Sequence, residues 1–357
     1  RNKPGPGVYP GFFLTACGRS PAPLFSEESF VFGTRVEVLI YGEPPEKAHA
    51  AAASVLREFD RLHRTYHAWQ PSELTALNDD IAAGKPHEVS PELAELIRTA
   101  KRLFVQEDGL FDPGIGRLIS LWGFQSDEFR PVLPDASALA QWRDAHPSMA
   151  DLQVDGLRVT SRNRQVALDF GGYLKGVALD RAAALLRSRG VHNALINIGG
   201  NVMALGSKGE KPWRVGIQHP RASTPLASLD LRDGESIGTS GDYQRYFDLG
   251  GKRYCHLLDP RTAWPARGTQ AVTVLMPPGK DAGMRSDVLS KPLFIAGEQW
   301  LQEAGKLGVR QALRIDAAGV LFVTPDLQKR LKMEMAGVKV EVAEMKDAAP
   351  SSAAPNR

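Results

Sequence analysis

Two stretches carry side chains suited to acid–base or cation chemistry. One is His256-Leu257-Leu258-Asp259-Pro260. Histidine takes or gives a proton near neutral pH, and this one ends an apolar stretch beside an acid and a proline, a place where site residues often sit. On a strand, His256 and Leu258 share one face and Leu257 takes the other. Cys255 therefore points away from His256 and forms no Cys–His pair with it. The other stretch is Ser286-Asp287-Val288-Leu289-Ser290-Lys291. An Asp followed by oxygen donors one helical turn later suits a hard cation such as Mg2+. The plainer readings are a structural histidine and a helix N-terminus capped by Ser286 or Asp287.

Three further segments place glycines and polar groups where a ligand would meet backbone. Asp169-Phe170-Gly171-Gly172-Tyr173-Leu174-Lys175 ends a strand in an acid and opens a helix on two glycines. Free N–H groups at such an N-terminus, with a lysine facing them, favour a phosphate, although the same junction also serves as a tight packing turn. Thr239-Ser240-Gly241-Asp242-Tyr243 reads as a small polar turn entering a strand, able to bond a phosphate or a ring edge. Trp69, on a loop before a capped helix, offers a flat surface for a base or a flavin or is simply half-buried.

These segments need a frame, and the hydrophobic periodicity supplies one. Thr34–Tyr41 reads as a strand, and a helix runs from Pro44 to about Tyr66 with Ala48, Ala52, Val55, Leu56, Phe59 and Leu62 on one face. Ser90 caps a helix that continues to about Gln106 with Pro91 in its first position. A third runs from about Gly172 to Arg189 and stops at Gly190. Short strands are expected near 157–160, 165–170, 191–198, 213–217, 226–231, 243–248, 254–258 and 271–275. Beyond these come a helical stretch over 287–304 interrupted at Pro292 and Gly297, a strand pair over 311–323 and a basic helix over 326–333. Helices mixed with antiparallel strands place the chain in the α+β class.

The 357 residues, 43% hydrophobic, can bury a large core. A net charge of +3 and no basic run speak against nucleic acid. No apolar stretch reaches the roughly 20 residues of a spanning helix. The two cysteines suggest neither a disulfide scaffold nor a zinc site. Leu14-Thr15-Ala16-Cys17-Gly18 has the form of a bacterial lipoprotein processing site, which would anchor the protein through Cys17 outside the cytoplasmic membrane. Residues 1–30 are thus expected to be a signal remnant and linker, 31–345 the folded domain, and 346–357 a disordered tail.

Taken in order, F-G-T, W-Q-P-S-E-L-x-x-L-N, G-L-F-D-P, L-D-F-G-G-x-x-K-G, N-x-G-G-N, T-S-G-D-Y, H-x-x-D-P and S-D resemble the ApbE family, the FAD:protein FMN transferases. The resemblance runs from about Gly33 to Gly297. It implies a two-lobed flavin transferase fold of mixed and antiparallel sheets with flanking helices, and FAD as substrate. It also implies an acceptor protein of a membrane or extracytoplasmic electron-transfer system. Phe32, Trp69, Asp169, Lys175 and the Thr239-Ser240-Gly241 turn match FAD-contacting positions. Leu110, Phe111 and Asp112 match the segment along the adenosine, and Leu257 or Leu258 the flavin side. His256 matches the catalytic histidine. Gly172, Asp287 and Ser290 match metal-ligand positions, and Asp287 serves catalysis through that metal.

The implied reaction is attack by a threonine or serine hydroxyl on the FMN-side phosphorus of FAD, with AMP leaving. A metal would neutralise the developing charge, and His256 is the candidate base. Two positions depart from the pattern. Lys291 stands where the family has Thr in the metal site; a protonated lysine cannot ligate Mg2+, and its ammonium competes for the cation's place. Ala263 stands for a glycine in the turn after His256. Hydrolysis of FAD to FMN and AMP, and FAD binding without chemistry, remain as alternatives.

Overall fold

The computed structural model describes residues 22–345; Cys17 and the tail expected to be disordered lie outside them. Leu24–Val31 pairs with Thr34–Tyr41 along its whole length, Val31 opposite Thr34. Phe32 and Gly33 are left as a two-residue turn, both at positive φ (58° and 70°), the conformation that matches the twist of a tight hairpin. Residues 24–30, expected to be linker, are thus an edge strand. Its polar reading has a physical cause: it is mostly exposed, with Val31 its one buried residue, and charged or polar residues are what protect a sheet edge.

That hairpin begins a nine-stranded sheet. Ala194–Ile198, Asn201–Leu205, Ser236–Gly241, Thr269–Met276, Gln311–Asp316 and Leu321–Val323 follow in order, each antiparallel to its neighbour, and Val340–Val342 closes the far edge in parallel. Side chains alternate between its faces. Val36, Val38, Ile40, Ile196, Val272 and Val274 join one core with the helices Pro45–Thr65, Pro91–Gln106, Leu174–Ser188 and Ala282–Ala296. Leu195, Val202, Ile237, Ala271 and Leu275 join a second core under a three-stranded sheet built on Trp213–Gln218 and Pro225–Leu231.

A third apolar cluster gathers Gly116–Leu121, Ala136–Ala145 and the hairpin Tyr246–Leu249/Lys252–Cys255. Trp122, Phe247 and Tyr254 stack there, with Phe247 and Tyr254 centroids 5.2 Å apart. This hairpin sets Arg245 and His256 side by side at its open end, where the His256 main-chain N–H donates to the Arg245 carbonyl at 3.0 Å. Ala263 lies in the turn behind it at φ 65°, in the left-handed region that favours glycine. Its carbonyl accepts a hydrogen bond from Trp122 Nε1.

The expected Pro44, Pro91 and Gly172 helices are present as Pro45–Thr65, Pro91–Gln106 and Leu174–Ser188. Residues 165–170, expected to be a strand, make only one isolated bridge, between Ala167 and Ile115. Thr239-Ser240-Gly241 is not a turn but the end of the central strand Ser236–Gly241. Asp287 is not at a helix N-terminus but inside Ala282–Ala296, which continues through Pro292. Both differences share a cause: small and polar residues fill these buried elements, because the elements touch one another through backbone. No helix among the described residues is long and apolar enough to cross a membrane.

Candidate active site

The Asp287 helix lies unusually close to its neighbours. A Cβ on Gly176, in the helix Leu174–Ser188, would fall 2.6 Å from the Gly283 carbonyl oxygen and 2.7 Å from Asp287 Cβ. A Cβ on Gly238, in the central strand, would fall 2.2 Å from the Ser286 carbonyl oxygen. Only glycine permits these approaches, so backbone contact with a strand on one side and a helix on the other fixes the position of the Asp287 helix. Two hydroxyl pairs lock the strand contact: Ser236 with Ser286 at 2.9 Å and Ser240 with Ser290 at 2.7 Å, all four residues buried.

Asp287, 1% exposed, accepts the Gly176 N–H on Oδ2 at 2.9 Å. Lys291, one turn later, donates to Asp287 Oδ1 and to the Asp287 carbonyl oxygen, each at 2.8 Å. The lysine stem crosses Gly172: a Cβ there would lie 2.7 Å from Lys291 Cε. Lys175 is close enough for its ammonium to feel Asp287, Lys291 and Arg245. Burial, then the two cations, push its pKa down, and Asp287 pulls it up. Gly172, Lys175, Asp287, Ser290 and Lys291, separated in the sequence, thus meet at one place.

His256 completes this wall. Its Nδ1 lies 3.2 Å from the Arg245 carbonyl oxygen. A carbonyl can only accept, so Nδ1 carries the proton and Nε2 holds the free lone pair. Burial, then the positive charges of Arg245 and Lys175, push the imidazole pKa down to about 3. The ring is therefore neutral at pH 7, the form a general base requires.

Beside His256, Arg245 spans two rings, 5.7 Å from the Trp69 centroid and 5.1 Å from that of Phe129, and donates to the Phe124 and Ser126 carbonyls. Trp69, 37% exposed, continues through His67 (4.5 Å), His63 (5.0 Å) and Phe32 (5.7 Å) as a line of ring contacts. Phe32 and Trp69 thus belong to one aromatic rail. Asp169 accepts Gly171 N–H on Oδ1 and Gln125 Nε2–H on Oδ2, which ties the glycine junction to Gln125. Arg245, Gln125, His63 and His67 were not singled out from sequence. The four-residue spacing of the histidines was the available signal, although the helix ends at Thr65 and His67 lies on the loop beyond it; a lone Arg or Gln carries none.

Other expected residues are placed differently. Asp112, buried, turns Oδ1 inward to accept the Gly114 and Met149 N–H groups, and Leu110 and Phe111 beside it are buried. Leu257 is buried in the main core. Thr239 pairs with Thr273 at 2.9 Å on the sheet face away from Ser240, and the Tyr243 ring covers Gly241, 2.2 Å from where its Cβ would be.

The residues present do not fit the divalent cation expected at Gly172, Asp287 and Ser290. The ammonium of Lys291 takes up Asp287 Oδ1 and the Asp287 carbonyl, and the Gly176 N–H takes up Oδ2. Ser290 Oγ donates to that same carbonyl and pairs with Ser240. Glu107, fully buried and within electrostatic reach of Lys291, has its pKa raised well above its ordinary value by burial.

The family model described as ApbE family matches residues 32–313. The FAD:protein FMN transferase of Rhodobacter capsulatus is 42% identical over 314 residues, which is 88% of this chain and 59% of that protein. The chain thus spans less than two thirds of that relative's length. A protein of the same name from Klebsiella pneumoniae (strain 342) is 31% identical over 76% of this chain and 78% of its own. Among solved structures, the ApbE protein of Thermotoga maritima superposes with a TM-score of 0.77 at 30% identity, covering 86% of this chain and 99% of that one. The apo flavinyl transferase ApbE of Pseudomonas stutzeri gives 0.74 at 28% identity, covering 87% and 97%.

Proposed function

The chain belongs to the ApbE family, and from that membership we propose that it is an FAD:protein FMN transferase. A threonine or serine hydroxyl of an acceptor protein attacks the FMN-side phosphorus of FAD. The new P–O bond forms as the bridging P–O bond breaks, and AMP leaves. The carrying observation is a neutral His256 with Nε2 free, standing among the cations Arg245, Lys175 and Lys291. In this reading His256 Nε2 takes the hydroxyl proton while the cations hold the pyrophosphate. The rail from Phe32 to Trp69, with Arg245, supports stacking of a flat ring system. Magnesium is left out of this reading, because Lys291 holds the oxygen donors it would need.

The acceptor is read as a protein of a membrane or extracytoplasmic electron-transfer system. Cys17 is read as the lipid anchor that places the enzyme on that side of the membrane. The apolar-small-small-Cys order of residues 14–17 supports this, and mass analysis of the Cys17 peptide from membranes tests it. The activity is tested by incubating the protein with FAD and a threonine-containing acceptor peptide, following AMP and covalent flavin by mass. AMP with flavinylated peptide supports transfer. AMP without adduct points to hydrolysis, and FAD retained intact leaves a flavin-binding protein.

A further inference from the structure

We propose that the Lys291 ammonium takes the place of a divalent cation in this site, so that the pyrophosphate of FAD is held and its developing charge neutralised without a dissociable metal. This rests on the FMN-transfer reading. Three observations carry it. Lys291 Nζ is anchored at 2.8 Å to two oxygens of Asp287, one of them from the carboxylate that would otherwise face a metal. Its stem lies over Gly172, where a Cβ would come within 2.7 Å of Cε, so the glycine opening the helix is also what admits the lysine. An ammonium has three N–H donors; two are spent on Asp287, and the third is left for a phosphate oxygen. Lys175 and Arg245 lie within electrostatic range of the same place. Lys291, Lys175 and Arg245 bring three cationic side chains to this place, and the acids within their electrostatic reach are Asp287, Asp169 and Asp127.

The bonding changes are those of the transfer itself. The ammonium gains no bond and loses no proton; it bonds a phosphate oxygen more strongly as negative charge builds there.

The test uses the full chain, stripped with EDTA and dialysed, beside K291M and K291T. K291M keeps an unbranched stem and removes the charge; K291T installs the family's hydroxyl. Circular dichroism confirms that each is folded. Three readouts are taken: AMP release with EDTA or Mg2+, FAD affinity from flavin fluorescence, and Mn2+ binding by electron paramagnetic resonance. The wild type is expected to release AMP equally in EDTA and Mg2+ and to leave Mn2+ free. K291M is expected to lose FAD affinity by roughly tenfold or more, the worth of one charged hydrogen bond, with no rescue by Mg2+. K291T is expected to bind Mn2+ and to need Mg2+ for AMP release. AMP release by the wild type only with Mg2+, Mn2+ bound to the wild type, or Mn2+ free with K291T as well would each overturn the proposal. If no protein releases AMP under any condition the transfer reading falls, and Mn2+ binding still decides whether residue 291 excludes the metal.

Discussion

Lys291 Nζ grips Asp287 at two atoms, the carboxylate Oδ1 and the main-chain carbonyl, both at 2.8 Å. The carboxylate is 2% exposed and the lysine side chain 15%. Removing one partner of such a pair leaves the other charge poorly solvated and uncompensated. D287A is therefore expected to lower stability by roughly 3 kcal/mol, measured by urea unfolding, and D287A/K291M to recover part of that loss. A cost under about 1 kcal/mol would mean that the pair behaves as a solvent-exposed one.

His256 carries a pH signature. Its folded pKa lies below the unfolded value, at about 3. The neutral ring therefore contributes stability that is present above the unfolded value near 6.5 and is lost as pH falls toward 3. In catalysis the base stays deprotonated at mildly acidic pH. The acid limb of the rate–pH profile for AMP release is expected well below pH 6.5. A limb at the ordinary histidine value would mean that burial and the charges of Arg245 and Lys175 do not act on the ring as this geometry requires. H256A is expected to abolish transfer while retaining FAD.

Trp69 is the exposed tryptophan of the rail, while Trp122, Trp142, Trp213 and Trp300 are buried and Trp264 is half-buried against the third cluster. FAD stacked there should quench mainly Trp69. W69F is expected to remove most of the FAD-dependent loss of tryptophan emission, and W69A to weaken FAD by about tenfold, the scale of one lost stacking contact. Quenching unchanged in W69F would place the flavin and adenine rings elsewhere.

Gly238 and Gly176 are expected to tolerate no added methyl. G238A must push the Ser286 carbonyl, 2.2 Å from the new Cβ, and with it the Asp287 helix. A loss of about 2–3 kcal/mol is expected, the scale of core overpacking, together with weaker FAD binding. Full stability by thermal melting would show that the helix can slide.

Asp112 tests whether its carboxylate serves ligand or fold. Burial raises its pKa to about 7, against the Gly114 and Met149 N–H bonds that favour the ionised form. A raised folded pKa means stability present below the unfolded value near 4 and lost as pH rises toward 7. D112N keeps an oxygen for both N–H groups. It is expected to match the wild type near pH 4 and to be the more stable protein at pH 8, with FAD affinity unchanged. Denaturant midpoints at the two pH values check this.

The amphipathic helices were legible because one wide apolar stripe faces one core, and the glycine–helix junction because its chemistry is local. The Leu24–Val31 strand was hidden by its edge position, and Ser236–Gly241 by the opposite condition. It is a central strand whose residues are small because a helix presses on its backbone, and that looks like a turn in one dimension. Lys291 was visible as an unusual residue, and its grip on Asp287 spans only one helical turn, but its bed on Gly172 depends on a contact across more than a hundred residues. Arg245 and Gln125 were invisible for the same reason: nothing in their neighbours records what they reach.

Glycine contacts, rather than the side chain at 291, set the position of the Asp287 helix. Scaffold and chemistry are therefore separable here. A single exchange at 291, between an oxygen donor and an ammonium, can change what the pocket draws on without remodelling its walls. Protein with the ammonium keeps its charge through every turnover and through chelation, and a variant with the hydroxyl must wait for an ion to arrive.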